Sequence, residues 1–417
     1  MSCFIISGGK RLLGEISVGG SKNAALPIIF ATVAMHGVSV IENVPDITDV
    51  EVALSIISEL GAVITREGTT LTVDTARLTY KNPPAELTER IRASTYLMGA
   101  SLARFGKTRL PSFGGCNFEP RPIDLHLYAF ERLGSKTEGS VLMLSDGETA
   151  DVIFPKVSVG ATVNALLLAS SIERTTRIFG HAREPHIIAL ADFLRSAGAE
   201  IEFSDSYITV RGTRLSGGRA RIPTDSVECG TYALLSLMTG GGISIANAPT
   251  DELSSLFSPL AIAGAKISTR NGALSVSGSL NGPVLIEAAP YPALPTDLQP
   301  PLAPALGAFS GGEIRDRVFP RRFGYIEELR KLGLRAEYGE GSVRVLPSHY
   351  KAASVRAPDL RGGAALVLAA LAADGESLIA SSETVMRGYG AMVRKLRSVG
   401  AEIYEIPSET KEEGYKK

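Results

Sequence analysis

The sequence predicts an α/β protein of two domains, each made of three βαβαββ copies of one folding unit. Three observations carry this. First, a short phrase recurs six times: ELGAVI (59–64), RLGSK (132–136), SAGAEIE (196–202), IAGAKIS (262–268), KLGLRAE (331–337) and SVGAEIY (398–404). Second, its glycines, Gly61, Gly134, Gly198, Gly264, Gly333 and Gly400, are 73, 64, 66, 69 and 67 residues apart. A unit of that size exceeds the about 20–50 residues of a solenoid repeat. Third, 417 residues are too many for one hydrophobic core, which stops growing near ~250–300 residues. The expected division is 21–222 for the first three copies, and 1–20 plus 223–417 for the last three. The first twenty residues precede the first full copy, so they are expected to add strands to the second domain through a double crossover.

Each element follows from a local pattern. Before Gly61, Val52, Ala53, Ile56, Ile57 and Leu60 fall on one face at helical spacing. Glycine then supplies the left-handed residue that stops the helix. Ala62-Val63-Ile64-Thr65 alternates as a strand, and Thr70 to Val73 returns as its hairpin partner. The sixth copy repeats the sequence of elements in YGAMVRKLRSVGAEIYEI. A further apolar helix is expected upstream in most copies, as in AALPIIFATVAM (24–35), TVNALLLASSI (162–172) and AALVLAALAA (364–373), each preceded by a loop and a short strand.

Composition narrows the function classes. The net charge of −1 gives no reason to expect nucleic acid or an acidic membrane surface as partner. No apolar run reaches the about 20 residues that span a bilayer. MSCFIISGGKRLLGE lacks a signal-peptide core, and three widely spaced cysteines do not form a disulfide framework, so a reducing cytoplasm is expected. The five histidines have no metal-ligand spacing, so no metal is expected.

With each copy's glycine as zero, polar residues recur at two helix starts. About 39 residues upstream stand Lys22 (GGSKNAALPI) and Arg361 (PDLRGGAALV). Arg92, then Lys156 with Ser158, Asp225 with Ser226, and Asp297 occupy corresponding places in the other copies. Some 11 to 15 residues upstream stand Asp46 and Asp49, Arg121, Glu184, Asp251, Arg322 and Arg387. Helix N-termini attract anions through unpaired N–H groups and the helix dipole. A single arginine there is more often an ordinary exposed helix start. Recurrence of Lys22, Arg92, Arg121, Arg322, Arg361 and Arg387 instead points to a cleft for a substrate with several negative charges, since the guanidinium fork meets phosphate and carboxylate bidentately.

Two copies break the symmetry. Copy two inserts LPSFGGCNFEPRPIDLHL (110–127), which sets Cys116 in a Gly-rich loop beside Arg121. A thiol near cations has a lowered pKa and serves as acid or nucleophile, and such a loop suits a lid. His126 is close in sequence, but no papain-like context surrounds Cys116. Cys3 and Cys229 fit buried structural roles. Copy five places Asp297 among the cations in PTDLQ; it is suited to take a proton from a hydroxyl, or to cap the following helix.

Together GGSKNAALPI, ERIRAS, GGCNFEPRPIDLHL, KVSVGATVN, REPHI, PTDLQ, the VF–RRF segment, PDLRGGAALV and RGYGAM resemble the UDP-N-acetylglucosamine 1-carboxyvinyltransferases, a branch of the EPSP synthase/enolpyruvate transferase family. The resemblance runs through essentially the whole chain. It implies an inside-out α/β barrel fold with the active site in the interdomain cleft. It implies transfer of the enolpyruvyl group of phosphoenolpyruvate to the 3′-hydroxyl of UDP-N-acetylglucosamine by addition–elimination, with phosphate released and no metal or organic cofactor, as the first committed step of peptidoglycan synthesis. It implies that Cys116 is the proton donor, forms a covalent phosphoenolpyruvate adduct and is the fosfomycin target. Asp297 matches the base, and Lys22 is catalytic. Lys22, Asn23, Arg121, Arg322, Arg361 and Arg387 match phosphoenolpyruvate contacts. Asn23, Arg92, Arg121, Pro122, Ile123, Asp124, Leu125, Lys156, Ser158, Val159, Gly160, Asp297 and Val318 match UDP-N-acetylglucosamine contacts.

This chain departs from the resemblance at Ser226, where an arginine is usual, and at His186, Pro320, Arg321 and Met386. Ser226 and Met386 motivate one alternative, a catalytically silent or regulatory UDP-sugar-binding homologue. The other alternative is transfer to shikimate 3-phosphate, but that sister enzyme lacks the GGC loop and the SVGATVN segment present here.

Overall fold

The computed structural model describes residues 2–110, 114, 121–145 and 150–407. Its contacts divide into two units, Gly20–Pro223 and Met1–Gly19 with Thr224–Lys417.

Within Gly20–Pro223 the third copy shows the repeat in full. Strand Val152–Ile153 leads to helix Val159–Ala169, strand Thr175–Phe179, helix Pro185–Ser196, and hairpin strands Glu200–Phe203 and Tyr207–Arg211. The helical crossover makes Val152–Ile153 parallel to Thr175–Phe179, with Val152 opposite Ile178, while the hairpin is antiparallel. The first copy has helix Lys22–Ala31, strand Val38–Glu42, helix Thr48–Glu59 and strands Val63–Glu67 and Thr70–Asp74. Its parallel strand is Arg219–Arg221, which returns from the far end of the unit to pair with Val38–Glu42. Strands Lys107–Arg109, Ser135–Glu138 and Val141–Leu144 form the second copy's sheet.

In the other unit, strand Gly14–Ser17 lies parallel to Ile243–Ala246 and completes the fourth copy. Strand Ser2–Ser7 runs antiparallel between Glu376–Ala380 and Glu402–Pro407. It fills the place that the second hairpin strand takes in other copies, so the chain's first strand completes its last repeat. Strands Val284–Ala288, Gly312–Asp316, Arg335–Gly339 and Ser342–Leu346 form the fifth copy's sheet.

In both units the helices are inside and the sheets outside. Helix Tyr96–Phe105 packs on both Lys22–Ala31 and Val159–Ala169, and Gln299–Gly307 packs on both Ser226–Met238 and Leu360–Ala372. These central helices are apolar nearly all round, as enclosure requires; every residue from Ala161 to Ala169 is buried. The sheets alternate buried and exposed residues, as in Tyr207–Arg211. All six repeat glycines adopt left-handed φ, from 89° at Gly134 to 120° at Gly264, so each ends its helix as the phrase predicts. At Gly333 a β-carbon would also lie 2.3 Å from the His349 carbonyl oxygen. Among the described residues no helix is long and apolar enough to cross a membrane.

Candidate active site

In the unit holding residues 224–417, the site is organised around Asp297. Pro295 leads into the tight turn Thr296–Leu298, and helix Gln299–Gly307 follows. Asp297 caps neither element, which corrects the capping expectation. The helix starts one residue too late for it, with Leu298 in the capping place. Instead each carboxylate oxygen accepts from an arginine: Oδ1 from Arg322 Nη1 at 3.0 Å, and Oδ2 from Arg361 Nη2 at 3.0 Å.

Both arginines are buried, with Arg322 4% and Arg361 1% exposed. Arg361 lies in the first turn of helix Leu360–Ala372, which Asp359 caps by accepting from the Arg361 and Gly362 N–H groups. Asp359 Oδ1 also lies 3.6 Å from Arg322 Nη2. Burial alone would lower both arginine pKa values. Asp297 and Asp359 outweigh it for Arg322; Tyr389, Asp297 and Asp225 outweigh it for Arg361; both end above the ordinary value. Buried cations demand such partners, because desolvating an unpaired charge costs several kcal/mol.

The turn carrying Val318 is fixed by Asp316. Its Oδ1 accepts from the Val318 and Phe319 N–H groups, both at 2.8 Å, and its Oδ2 accepts from Thr296 Oγ1 at 2.6 Å. One buried acid therefore ties the Val318 turn to the Asp297 turn, and burial raises its pKa despite these bonds. Arg387 stands elsewhere than expected. It follows the one-turn helix Glu383–Met386 and precedes helix Met392–Ser398 by five residues, because RGYG interrupts the helical path. Asp225 caps helix Ser226–Met238 and accepts from the Val227 and Glu228 N–H groups.

In the unit 20–223, Lys22 opens helix Lys22–Ala31, with Asn23 next to it. Lys22 Nζ lies 3.4 Å from Oδ2 of Asp49, in the first turn of helix Thr48–Glu59, so the two expected polar positions of the first copy meet. Arg92 lies in the turn Arg92–Thr95 and donates through Nη2 to the Arg121 carbonyl. Burial, then the Arg121 charge, lowers the Arg92 pKa, so the two cations oppose each other. Pro122 and Ile123 lead into helix Asp124–Arg132, whose first turn holds Asp124, exposed, and Leu125, buried. Lys156 is exposed; Ser158 caps helix Val159–Ala169, and its Oγ accepts from the Ala161 N–H at 3.3 Å.

His126 brings the 121–125 and 156–160 segments together. A β-carbon at Gly160 would lie 2.9 Å from His126 Cε1, so only glycine permits this approach. Asn164 Nδ2 donates to His126 Nδ1 at 2.8 Å and to the Thr95 carbonyl at 3.1 Å, while its Oδ1 accepts from the Gly99 N–H. Burial first, then the Arg92 charge, lowers the His126 pKa to about 4. Its folded value thus lies below the ordinary 6.5. The unfolded chain binds the extra proton between these values, so stability is lost as pH falls through this window. The full loss is about 3 kcal/mol. Denaturant unfolding at pH 7 and pH 4.5 is expected to show a smaller acid loss in His126→Gln than in the native chain. Equal losses would contradict it.

Sequence reasoning missed Asp316, Asp359, Asn164 and the structural use of His126. An Asp two residues before Val318 and another directly before Leu360 were the available signals, since Asp favours turns and caps. Cys116 lies outside the described residues. Among the described residues, no group of three or more His, Cys, Asp or Glu side chains is arranged to hold a metal ion.

A bridged carboxylate, buried arginines and capped helix starts equip the chain to bind anions and receive a proton. The profile of the family EPSP synthase (3-phosphoshikimate 1-carboxyvinyltransferase) matches residues 6–396. The chain belongs to this family. It is 37% identical to UDP-N-acetylglucosamine 1-carboxyvinyltransferase 3 of Caldanaerobacter subterraneus subsp. tengcongensis, over 97% of this chain and 100% of that one. It is 36% identical to UDP-N-acetylglucosamine 1-carboxyvinyltransferase 1 of Streptococcus agalactiae, over 97% and 99%. Among solved structures, the enolpyruvyl transferase NikO from Streptomyces tendae superposes with a TM-score of 0.85 at 26% identity, over 97% of this chain and 99% of that one. EPSP synthase from Acinetobacter baumannii shares the fold, with a TM-score of 0.72 at 16% identity over 98% and 100%. The inside-out α/β fold expected from the sequence is therefore the fold of this family.

Proposed function

We propose that this protein transfers the enolpyruvyl group of phosphoenolpyruvate to the 3′-hydroxyl of UDP-N-acetylglucosamine, in the cytoplasm, as the first committed step of peptidoglycan synthesis. The observation that carries this reading is Asp297, a carboxylate held between two buried arginines in a family of enolpyruvyl transferases. The names of the 36–37% identical relatives support UDP-N-acetylglucosamine as the acceptor.

The 3′-oxygen attacks C2 of phosphoenolpyruvate and gives its proton to Asp297, while C3 gains a proton from Cys116. The resulting tetrahedral intermediate loses a proton from C3. The C2–O bond to phosphate breaks, and inorganic phosphate leaves with its electron pair. An enol ether remains on the sugar. Lys22, Arg121, Arg322, Arg361 and Arg387 balance the phosphate and carboxylate of phosphoenolpyruvate, with Asn23 beside them. Charge-assisted hydrogen bonds from such groups stabilise the addition step most where water is excluded. Arg92, the segment from Arg121 through Pro122, Ile123 and Asp124 to Leu125, and Val318 contact the sugar nucleotide. The diphosphate lies against Lys156, Ser158, Val159 and Gly160, at a helix N-terminus suited to anions.

Incubation with both substrates is expected to give a sugar nucleotide heavier by one enolpyruvyl group, read by mass spectrometry. Recovery of UDP-N-acetylglucosamine unchanged would refute the reading.

A further inference from the structure

Arg361 is held by more than its pair with Asp297. Its guanidinium carbon lies 5.1 Å from the centroid of the Tyr389 ring, in cation–π range. Tyr389 is itself buried, 1% exposed. Its hydroxyl lies 2.9 Å from Thr231 Oγ1, in the wholly buried interior of helix Ser226–Met238. The direction of that bond follows from proton counting. Thr231 has one hydroxyl proton, which it donates to the Val227 carbonyl at 2.8 Å. Thr231 Oγ1 therefore accepts, and Tyr389 donates. Gly388 lets the segment approach this closely, since a β-carbon there would lie 2.9 Å from Leu360 Cδ2, beside Arg361.

Only Nη2 of the Arg361 guanidinium is tied down, by Asp297. Nε and Nη1 are buried and have no hydrogen-bond partner among the described residues. A buried N–H group without an acceptor is costly, and the cost is recovered when an anion arrives. The Tyr389 ring holds the guanidinium by cation–π attraction.

We propose that Tyr389, anchored on Thr231, is a positioning residue that orients Arg361 toward the anionic donor substrate. The proposal rests on the enolpyruvyl-transfer reading for the identity of that substrate. Tyr389 acts through Arg361 and touches no substrate itself. It sets how well the protein binds phosphoenolpyruvate, and it leaves UDP-N-acetylglucosamine recognition alone.

Tyr389→Phe keeps the ring and removes the anchor; Thr231→Val removes the acceptor and keeps the shape. Each is expected to raise KM for phosphoenolpyruvate by about 3–10-fold, the scale of one hydrogen bond. The rise in KM for phosphoenolpyruvate should exceed any change in kcat or in KM for UDP-N-acetylglucosamine. The double variant is expected to be no worse than the weaker single one, because both changes break the same bond. Tyr389→Leu, which removes the aromatic face, should cost more than Tyr389→Phe. Thermal unfolding separates folded variants from unfolded ones. Unchanged phosphoenolpyruvate KM in folded Tyr389→Phe, equal changes for both substrates, or additive effects in the double variant would overturn the proposal. If the native chain does not turn over the two substrates, the reaction reading fails by itself. Calorimetric titration of phosphoenolpyruvate in the presence of UDP-N-acetylglucosamine then still tests Tyr389, and equal affinities in native and Tyr389→Phe protein would overturn its role.

Discussion

Asp297→Asn is expected to lower kcat by about 10²–10⁴-fold, the usual contribution of a positioned general base. Asparagine keeps the shape of the side chain but cannot take the proton of the attacking hydroxyl. Its amide oxygen still accepts from one arginine, while its NH2 group must face the other. Both 3.0 Å ion pairs therefore lose their negative partner; one buried guanidinium keeps a neutral hydrogen bond to this side chain and the other keeps none. The expected pattern is a collapsed rate, a modestly lowered unfolding midpoint and retained binding of UDP-N-acetylglucosamine by calorimetry. Steady-state rates and one titration check it. A near-native rate in the folded variant would remove Asp297 from the role of base.

Arg361→Ala is expected to raise KM for phosphoenolpyruvate by an order of magnitude or more, because a charged hydrogen bond contributes about 1.5–3 kcal/mol. It also breaks a buried ion pair, which costs about 3–5 kcal/mol of stability when one partner is left behind. Here the cost should fall toward the low end, since Asp297 is still paired with Arg322 and is partly exposed. Denaturant unfolding reads the stability term; initial rates at varied phosphoenolpyruvate read the binding term. Arg361→Lys should recover stability better than KM, because a lysine keeps the charge but not the planar fork. A folded Arg361→Ala variant with unchanged KM would place this arginine outside the substrate's reach.

The six glycine phrases made the repeats legible because a left-handed residue at a helix end has few chemical solutions. Apolar runs such as Ala165 to Ala169 read directly as enclosed helices. The pairing of Arg219–Arg221 with Val38–Glu42 was not legible, since a three-residue Arg-Ala-Arg strand carries no useful alternation. Counting back from the glycines worked where two copies have equal spacing, as for Lys22 and Arg361. It misplaced Arg387 because the two glycines around Tyr389 break the helix that the count assumed. The search for cations found the arginines but not their holders. Asp359, Asp316 and Thr231 were not read as holders from the sequence. Their roles depend on partners distant in sequence, as between Thr231 and Tyr389, 158 positions apart.

The central claim is that this chain passes the enolpyruvyl group to a UDP-sugar. Phosphate release from phosphoenolpyruvate, followed with UDP-N-acetylglucosamine in one reaction and shikimate 3-phosphate in another, tests it most directly. The account predicts stoichiometric phosphate release with UDP-N-acetylglucosamine and none above background with shikimate 3-phosphate. Release with shikimate 3-phosphate alone, or with neither acceptor, would contradict it.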